Sequence, residues 1–250
     1  MRILLTNDDG IDSSGLQELR KALEHRHEVW TFAPNGERSG TSHSISLKEA
    51  VRVRKEGERS FSCSGSPADC VLFSFLGAIP IRPDLVISGI NKGPNIGTDI
   101  IYSGTAAAAR EAALRGLPGI AISLATKTPP FRFQPATDFV LENLELLVTL
   151  WSPEHFININ VPVTLNGGSE VEITHPSRRF YKDNLIHFNA PDGDVYYFLD
   201  GAKPDADGER NSDWRVLSRG NISVTPVYLH PIDHNEEIAY QSAKFVMPAL

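Results

Sequence analysis

The strongest constraint on this chain is the alternation of its first 160 or so residues between short apolar runs and longer stretches of helical periodicity. Arg2–Thr6 is an apolar run that ends in the polar cluster Asn7–Asp12. Leu16, Leu19 and Leu23 then recur at helical spacing, so Ser14–His25 is predicted to be a helix with one apolar stripe. Ser14, followed three residues later by Gln17, has the pattern of a capping box. Glu28–Phe32 is the next strand, and Asn35–Ser44 is a polar loop. Less regular β segments follow around Val51–Arg54 and Ser60–Cys63. Ser66-Pro67-Ala68-Asp69 carries a serine cap, a first-turn proline and a first-turn acid, and opens a helix running to Gly77. Asp84–Ser88 is a buried strand, and Gly89–Gly104 is glycine-rich. Thr105–Arg115 is an alanine-rich helix closed by Gly116. Gly119–Leu124 is a further strand, Ala136–Leu150 a helix and Phe156–Val161 a strand.

Strands that alternate with helices in this way form βαβ units, whose right-handed crossovers leave helices on both faces of a parallel sheet. The fold class expected is therefore α/β: a Rossmann-like, doubly wound, mostly parallel sheet. Beyond Lys127-Thr128-Pro129-Pro130 the texture shifts, and Gly168–His230 is strand-like with turns at Asp192-Gly193 and Asp207-Gly208. Asn221–Leu229 is a last strand before a tail to Leu250. The expected organisation is a single domain over 1–250, with an α/β body at 1–165 and a β-rich extension and tail at 166–250.

Composition narrows the function classes. With 41% hydrophobic residues in 250, disordered and collagen-like chains are excluded. The formal net charge of −7 argues against a nucleic-acid polymer or an anionic membrane as partner, since both call for a basic patch. The longest apolar stretch, Cys70–Ile81, is broken by Ser74, Gly77 and Pro80, whereas a membrane helix needs about twenty residues. Cys63 and Cys70 cannot make a disulfide framework, and no secretory leader is apparent; a cytoplasmic protein is expected.

The chemistry lies in three loops. Strand one delivers Asp8 and Asp9 to the carboxyl edge of the sheet, where ligands of open α/β folds bind. Adjacent aspartates repel unless a cation or a proton compensates them, although the same pair could merely shape a turn. The strand Asp84–Ser88 leads to Gly89–Asp99, in which Asn91 and Asn95 offer amide oxygens. The helix start at Ser103-Gly104-Thr105 offers hydroxyls, free N–H groups and a positive dipole end suited to phosphate, or else an ordinary serine cap. Asn35–Ser42 adds hydroxyls and Arg38. Oxygen donors without paired His or Cys select a hard divalent cation, Mg²⁺ or Mn²⁺. A metal beside a phosphate-binding helix end is apparatus for phosphoryl chemistry. No P-loop, dinucleotide fingerprint, H-E-x-x-H or G-x-S-x-G motif is present. The eight histidines (His25, His27, His43, His155, His175, His187, His230 and His234) lack metal-ligand spacing, and only His43 stands in one of these loops, as a candidate proton donor.

These residues carry a resemblance. ILLTNDDGI at the start, AP-x-x-x-RSG at Ala33–Gly40, GSPADCV at Gly65–Val71 and the string from Ser88 through YSGT at Tyr102–Thr105 are similar to the SurE family of survival-protein nucleotidases. A weaker match is ISVTP at Ile222–Pro226. The resemblance implies a metal-dependent phosphatase acting on nucleoside 5′- and 3′-monophosphates, with short polyphosphate as a further substrate. It maps one divalent ion per subunit onto Asp8, Asp9, Ser39 and Asn95, and phosphate contacts onto Asn91, Ser103, Gly104 and Thr105. Asp8 and Asp9 are the expected catalytic residues, with Asp8 as base or water-positioner. It also implies a homodimer or homotetramer in which the β-rich extension packs between subunits. His175–Arg179 and Tyr196-Tyr197-Phe198 depart from the family's usual pattern in that extension. Two alternatives stand beside this reading: a covalent phosphatase of the haloacid-dehalogenase type, whose D-x-D spacing the adjacent acids do not match, and a non-catalytic Mg²⁺-binding receiver-like module.

Overall fold

The computed structural model of the chain describes residues 1–231 and 234–243. The strands are β1 (Arg2–Thr6), β2 (Glu28–Pro34), β3 (Val53–Gly57), β4 (Ser60–Cys63), β5 (Leu85–Lys92), β6 (Gly119–Leu124), β7 (His155–Val161), β8 (Val171–Ile173), β9 (Arg179–Asn189), β10 (Val195–Ala206) and β11 (Ile222–Tyr228). The helices are α1 (Ser14–Glu24), α2 (Pro67–Phe75), α3 (Asp99–Tyr102), α4 (Gly104–Leu114), α5 (Gln134–Leu150), α6 (Asp213–Ser218) and α7 (His234–Ser242). Nine strands form one sheet in the order β3-β4-β2-β1-β5-β6-β7-β11-β8. Pairing is parallel from β4 through β7, with β3 and β11 antiparallel to their inner neighbours.

The central strands read as continuous apolar runs because helices cover both faces. On one face α1 and α5 press Leu16, Leu19, Leu23, Val140 and Leu144 onto Ile3, Leu5, Ile87 and Ile122. On the other, α2 and α4 pack Val71, Ala108 and Ala112 against Leu4, Phe32 and Val86. The order reverses at β1, with β2 on one side and β5 on the other, so the switch-point crevice opens beyond Thr6. The doubly wound α/β expectation holds.

Local readings differ in places. The N-cap of α1 is Ser13 and there is no capping box. The Ser13 hydroxyl accepts from Asn7 Nδ2 at 2.6 Å, and Gln17 Nε2 donates to the Ile11 carbonyl at 2.7 Å. Both side chains serve the Asn7–Asp12 loop rather than the helix end. The box at Ser66 is real, with Asp69 N–H on Ser66 Oγ and Ser66 N–H on Asp69 Oδ2. β5 runs on to Lys92, because its pairing with β6 resumes at Asn91 opposite Ser123 after an irregularity.

Beyond residue 166, β8 and β11 complete the main sheet, whereas β9 and β10 form a separate antiparallel hairpin that turns at Ala190–Asp194. Its root is fastened to α3: Tyr181 Oη donates to Asp99 Oδ1 at 2.5 Å, and Arg179 N–H to Thr98 Oγ1 at 3.1 Å. The tail expected to reach Leu250 lies outside the described residues past Ala243, and among those described no helix is long and apolar enough to cross a membrane.

Candidate active site

β1 ends at Thr6, and the chain turns so that Asp8 enters the interior while Asp9 remains half-buried. Asp8 is 3% exposed. Its Oδ1 accepts from the Thr105 hydroxyl of α4 at 2.5 Å. Burial raises the Asp8 pKa, and the Thr105 hydroxyl with the N–H groups of Asp8 and Thr105 works against that rise. Gly104 makes this approach possible. A Cβ there would sit 2.8 Å from Asp8 Cβ and 3.1 Å from Pro67 Cγ, so the start of α4 and the carboxylate share a space no side chain can enter.

Asp9 faces different neighbours. Burial, then the charges of Asp8 and Glu37, push its pKa up to about 6, while the charge and N–H of Lys92 pull it down. Asp9 Oδ2 is buried with no hydrogen-bond partner, and among the described residues it is the one carboxylate oxygen in that condition. A buried anionic oxygen costs free energy unless it is paired, so its setting calls for a cation or a proton.

The other oxygen donors arrive from neighbouring loops. Asn95 is held at four points. Its N–H donates to Asn160 Oδ1 at 2.8 Å, and its carbonyl accepts from Asn158 and Asn160 Nδ2 at 2.8 and 2.9 Å. Its Nδ2 donates to Ser123 Oγ at 3.0 Å, which leaves Oδ1 as the acceptor still open. Ser39 is exposed, and its N–H and Oγ both donate to Glu37 Oε1. The preceding residue anchors that loop, with Arg38 N–H on the Asp8 carbonyl at 2.7 Å. His43 faces away from these donors: its Nε2 lies 3.0 Å from Glu111 Oε2, a buried carboxylate on α4 that also accepts from Arg115.

Asp8, Ser39, Asn91, Asn95 and Ser103 line one cleft of about 250 Å³. Lys92 and Lys127 line it too and bring positive charge. Asn91 Nδ2 donates to the Gly93 carbonyl at 2.8 Å. Ser103 is the N-cap of α4, its hydroxyl accepting from Ala106 N–H at 3.0 Å, and Thr105 is wholly buried with its hydroxyl committed to Asp8. Of the hydroxyls at this helix start, one closes the helix and the other holds a carboxylate.

Asp8, Ser39 and Asn95 offer the cleft a carboxylate, a hydroxyl and an amide, Asp9 is not among the residues that line it, and among the described residues no three His, Cys, Asp or Glu side chains group around a metal position. Such all-oxygen donors suit a hard divalent cation.

Supporting residues come from places with little local signal. Asp213 of α6 is buried and accepts from the N–H groups of Gly97, Ser177 and Trp214 at 2.7, 3.0 and 2.7 Å. It ties the C-terminal part of the chain to the Asn95–Thr98 turn. At that turn a Cβ on Gly97 would meet the Ser177 carbonyl at 2.1 Å. The pair Asn158 and Asn160 did carry a signal, since two amides spaced by two in the buried strand β7 require polar partners.

The model of the family described as survival protein SurE matches residues 3–183. A 5′-nucleotidase SurE of Rubrobacter xylanophilus is 40% identical over 247 residues, 93% of each chain. One of Petrotoga mobilis is 39% identical over 248 residues, covering 95% of this chain and 98% of its own. The crystal structure of the SurE protein from Aquifex aeolicus superposes with a TM-score of 0.81 at 31% identity, covering 97% of this chain and all of that one.

Proposed function

The chain belongs to the SurE family, and on that premise we propose that it is a 5′-nucleotidase: a phosphatase that uses one divalent metal ion per subunit, Mg²⁺ or Mn²⁺, to hydrolyse nucleoside 5′-monophosphates to nucleoside and phosphate. Nucleoside 3′-monophosphates and short polyphosphate are its further proposed substrates, and the cytoplasm its proposed location. The observation that carries the metal is the buried Asp9 Oδ2 without a partner, beside a second buried carboxylate.

Asp8, Asp9, Ser39 and Asn95 would hold the ion. When bound, it supplies Lewis acidity and charge neutralisation toward the phosphate and lowers the pKa of water. The protein's own part is positioning. Thr105 fixes Asp8, and Ser123, Asn158 and Asn160 fix Asn95 before substrate arrives, so little reorganisation is left for the reaction. Asn91, Lys92, Lys127 and the N-terminus of α4 at Ser103-Gly104 present donors and positive charge to the phosphate oxygens, whereas Thr105, expected at a phosphate contact, is turned to Asp8. Asp8 is the proposed water-positioner, since its carboxylate is the more rigidly held.

A homodimer or homotetramer is the proposed assembly. Hairpin β9–β10 exposes Leu185, Phe188, Phe198 and Leu199, and two strands with no third element over them among the described residues are marginal in water. A second copy would cover them.

The test is phosphate release from a panel of nucleoside 5′- and 3′-monophosphates and tripolyphosphate. Turnover that EDTA abolishes and Mg²⁺ or Mn²⁺ restores, and that Asp8→Asn cuts to less than about a tenth, is expected. Turnover insensitive to EDTA, or no release from any nucleotide, would overturn the proposal.

A further inference from the structure

β3 and β4 alternate in a way that leaves one face of the sheet edge polar. Val51, Val53, Phe61 and Cys63 point to the α2 side, where they join the apolar core. The residues between them, Arg52, Arg54 and Glu56 with Ser60, Ser62 and Ser64, fall on the opposite face by the two-residue period of strands. Farther along the sheet, the face that α1 and α5 cover is packed with isoleucine and leucine. At this edge it borders a cavity of about 620 Å³ instead.

Arg20 of α1 enters the cavity from the opposite wall, and Asp12 and Asn35 border it beside the catalytic loops. Three guanidinium groups therefore meet two carboxylates, a local excess of positive charge in a chain of net charge −7. Among the described residues Arg52 and Arg54 have no acid within 4 Å, and Arg20 pairs with Glu24, which does not line the cavity. Glu56 Oε1 is already occupied by the Ser62 hydroxyl. Ser60 and Ser62 are 8% and 5% exposed, so the cavity floor is hydroxyl-bearing. Among the described residues no aromatic ring lines it, and none is common to it and the catalytic cleft.

We propose that this cavity is a second, non-catalytic anion site that takes free inorganic oxyanions of the phosphate and pyrophosphate class, gripped by Arg20, Arg52 and Arg54. Guanidinium forks match phosphoryl oxygens in pairs, and the hydroxyls of Ser60 and Ser64, neither of which donates to Glu56, satisfy remaining lone pairs. With no ring to stack on, a nucleoside adds nothing to binding here. The site is independent of the metal reading, because its groups stand apart from Asp8, Asp9, Ser39 and Asn95.

Titration calorimetry of the full-length protein in EDTA, with inorganic pyrophosphate as the probe, tests it. Arg52→Ala with Arg54→Ala should weaken binding about tenfold or more, and Asn91→Ala, in the catalytic cleft, should leave it unchanged. Arg54→Lys should lose part of the affinity because it keeps the charge without the fork. Adenosine diphosphate should bind to the Asn91→Ala protein no more tightly than pyrophosphate. Both arginine side chains are exposed, so the double variant should keep its melting temperature; should it not, Arg20→Gln gives the same reading from α1. Full affinity in the arginine variants, loss in Asn91→Ala instead, no binding up to about 10 mM, or markedly tighter binding of the diphosphate nucleotide would each overturn the proposal.

Discussion

Replacing Thr105 by valine keeps the shape of a buried side chain and removes a single hydroxyl, the one that donates to Asp8 Oδ1 at 2.5 Å. Hydrogen bonds to charged groups contribute about 1.5–3 kcal/mol, and neutral ones about 0.5–1.5 kcal/mol. Above the raised folded-state pKa the metal-free protein carries Asp8 ionised, and there Thr105→Val should destabilise it by about 1.5–3 kcal/mol. In an Asp8→Asn background the partner is neutral, and the same substitution should cost about 0.5–1.5 kcal/mol. The difference, about 1 kcal/mol, is the coupling a double-mutant cycle reads. The pH dependence has a definite sign. Burial holds the folded-state pKa of Asp8 above its unfolded value, so the stability from its protonated form is complete below the ordinary carboxylate range and is lost as pH rises through the raised value. Thr105→Val raises that pKa further. Its deficit against the wild type should therefore open with rising pH and narrow toward about pH 4. Urea unfolding at fixed protein concentration, followed by tryptophan fluorescence in EDTA at two pH values, measures each quantity. An equal loss in both backgrounds, or at both pH values, would refute the claim that this hydroxyl supports an ionised Asp8.

Two further outcomes follow from the site's packing and charge. Gly104→Ala puts a Cβ 2.8 Å from Asp8 Cβ and 3.1 Å from Pro67 Cγ. It should lower kcat by about a hundredfold at saturating metal, as misplacement by an ångström does, with a stability loss of about 1–3 kcal/mol. A variant with unchanged kcat, or one stabilised as an ordinary helical Gly→Ala would be, counts against the close approach. Divalent-cation binding should release a proton at low pH, because Asp9 titrates at about 6 without the ion and must be ionised to ligate it. The proton on Asp9 alone should make apparent affinity fall about tenfold per pH unit below about pH 6, and calorimetry in buffers of different ionisation enthalpy counts the protons released. Affinity independent of pH between 5 and 6 would remove Asp9 from the ligand set.

The α/β body was legible because its signals are local. Strand runs such as Gly119–Leu124 and the leucine stripe of α1 declare their period within a few residues, and the switch point follows from their order. The acids Asp8 and Asp9 and the amide Asn95 were legible because polar residues after buried strands need a reason. What stayed hidden depends on pairing across long separations. Asp213 lies 116 residues from Gly97, and no nearby pattern says that its carboxylate will collect the N–H groups of the Asn95–Thr98 turn. The roles of Ser103 and Thr105 were hidden for a related reason. A serine–glycine–threonine run says that hydroxyls are present, and only the packing of α4 against the β1 loop says that one of them turns inward to a carboxylate.

That inward turn separates the two aspartates in kind as well as position. Successive residues leave a strand end facing different walls, so adjacency in sequence places Asp8 against α4 and Asp9 against Lys92 and Glu37. Asp8 has its donors already and gains rigidity from them. Asp9 has a buried oxygen with none. If both were equally satisfied by the protein, a cation would compete with existing hydrogen bonds for each ligand. If neither were, the two charges would repel with nothing to hold their geometry. One fixed carboxylate and one unsatisfied carboxylate would make the proposed cation site preorganised and still leave it free energy to gain from a cation. The prediction that follows from this division is unequal: loss of Thr105's hydroxyl should move kcat, whereas acidification through about pH 6 should move cation affinity.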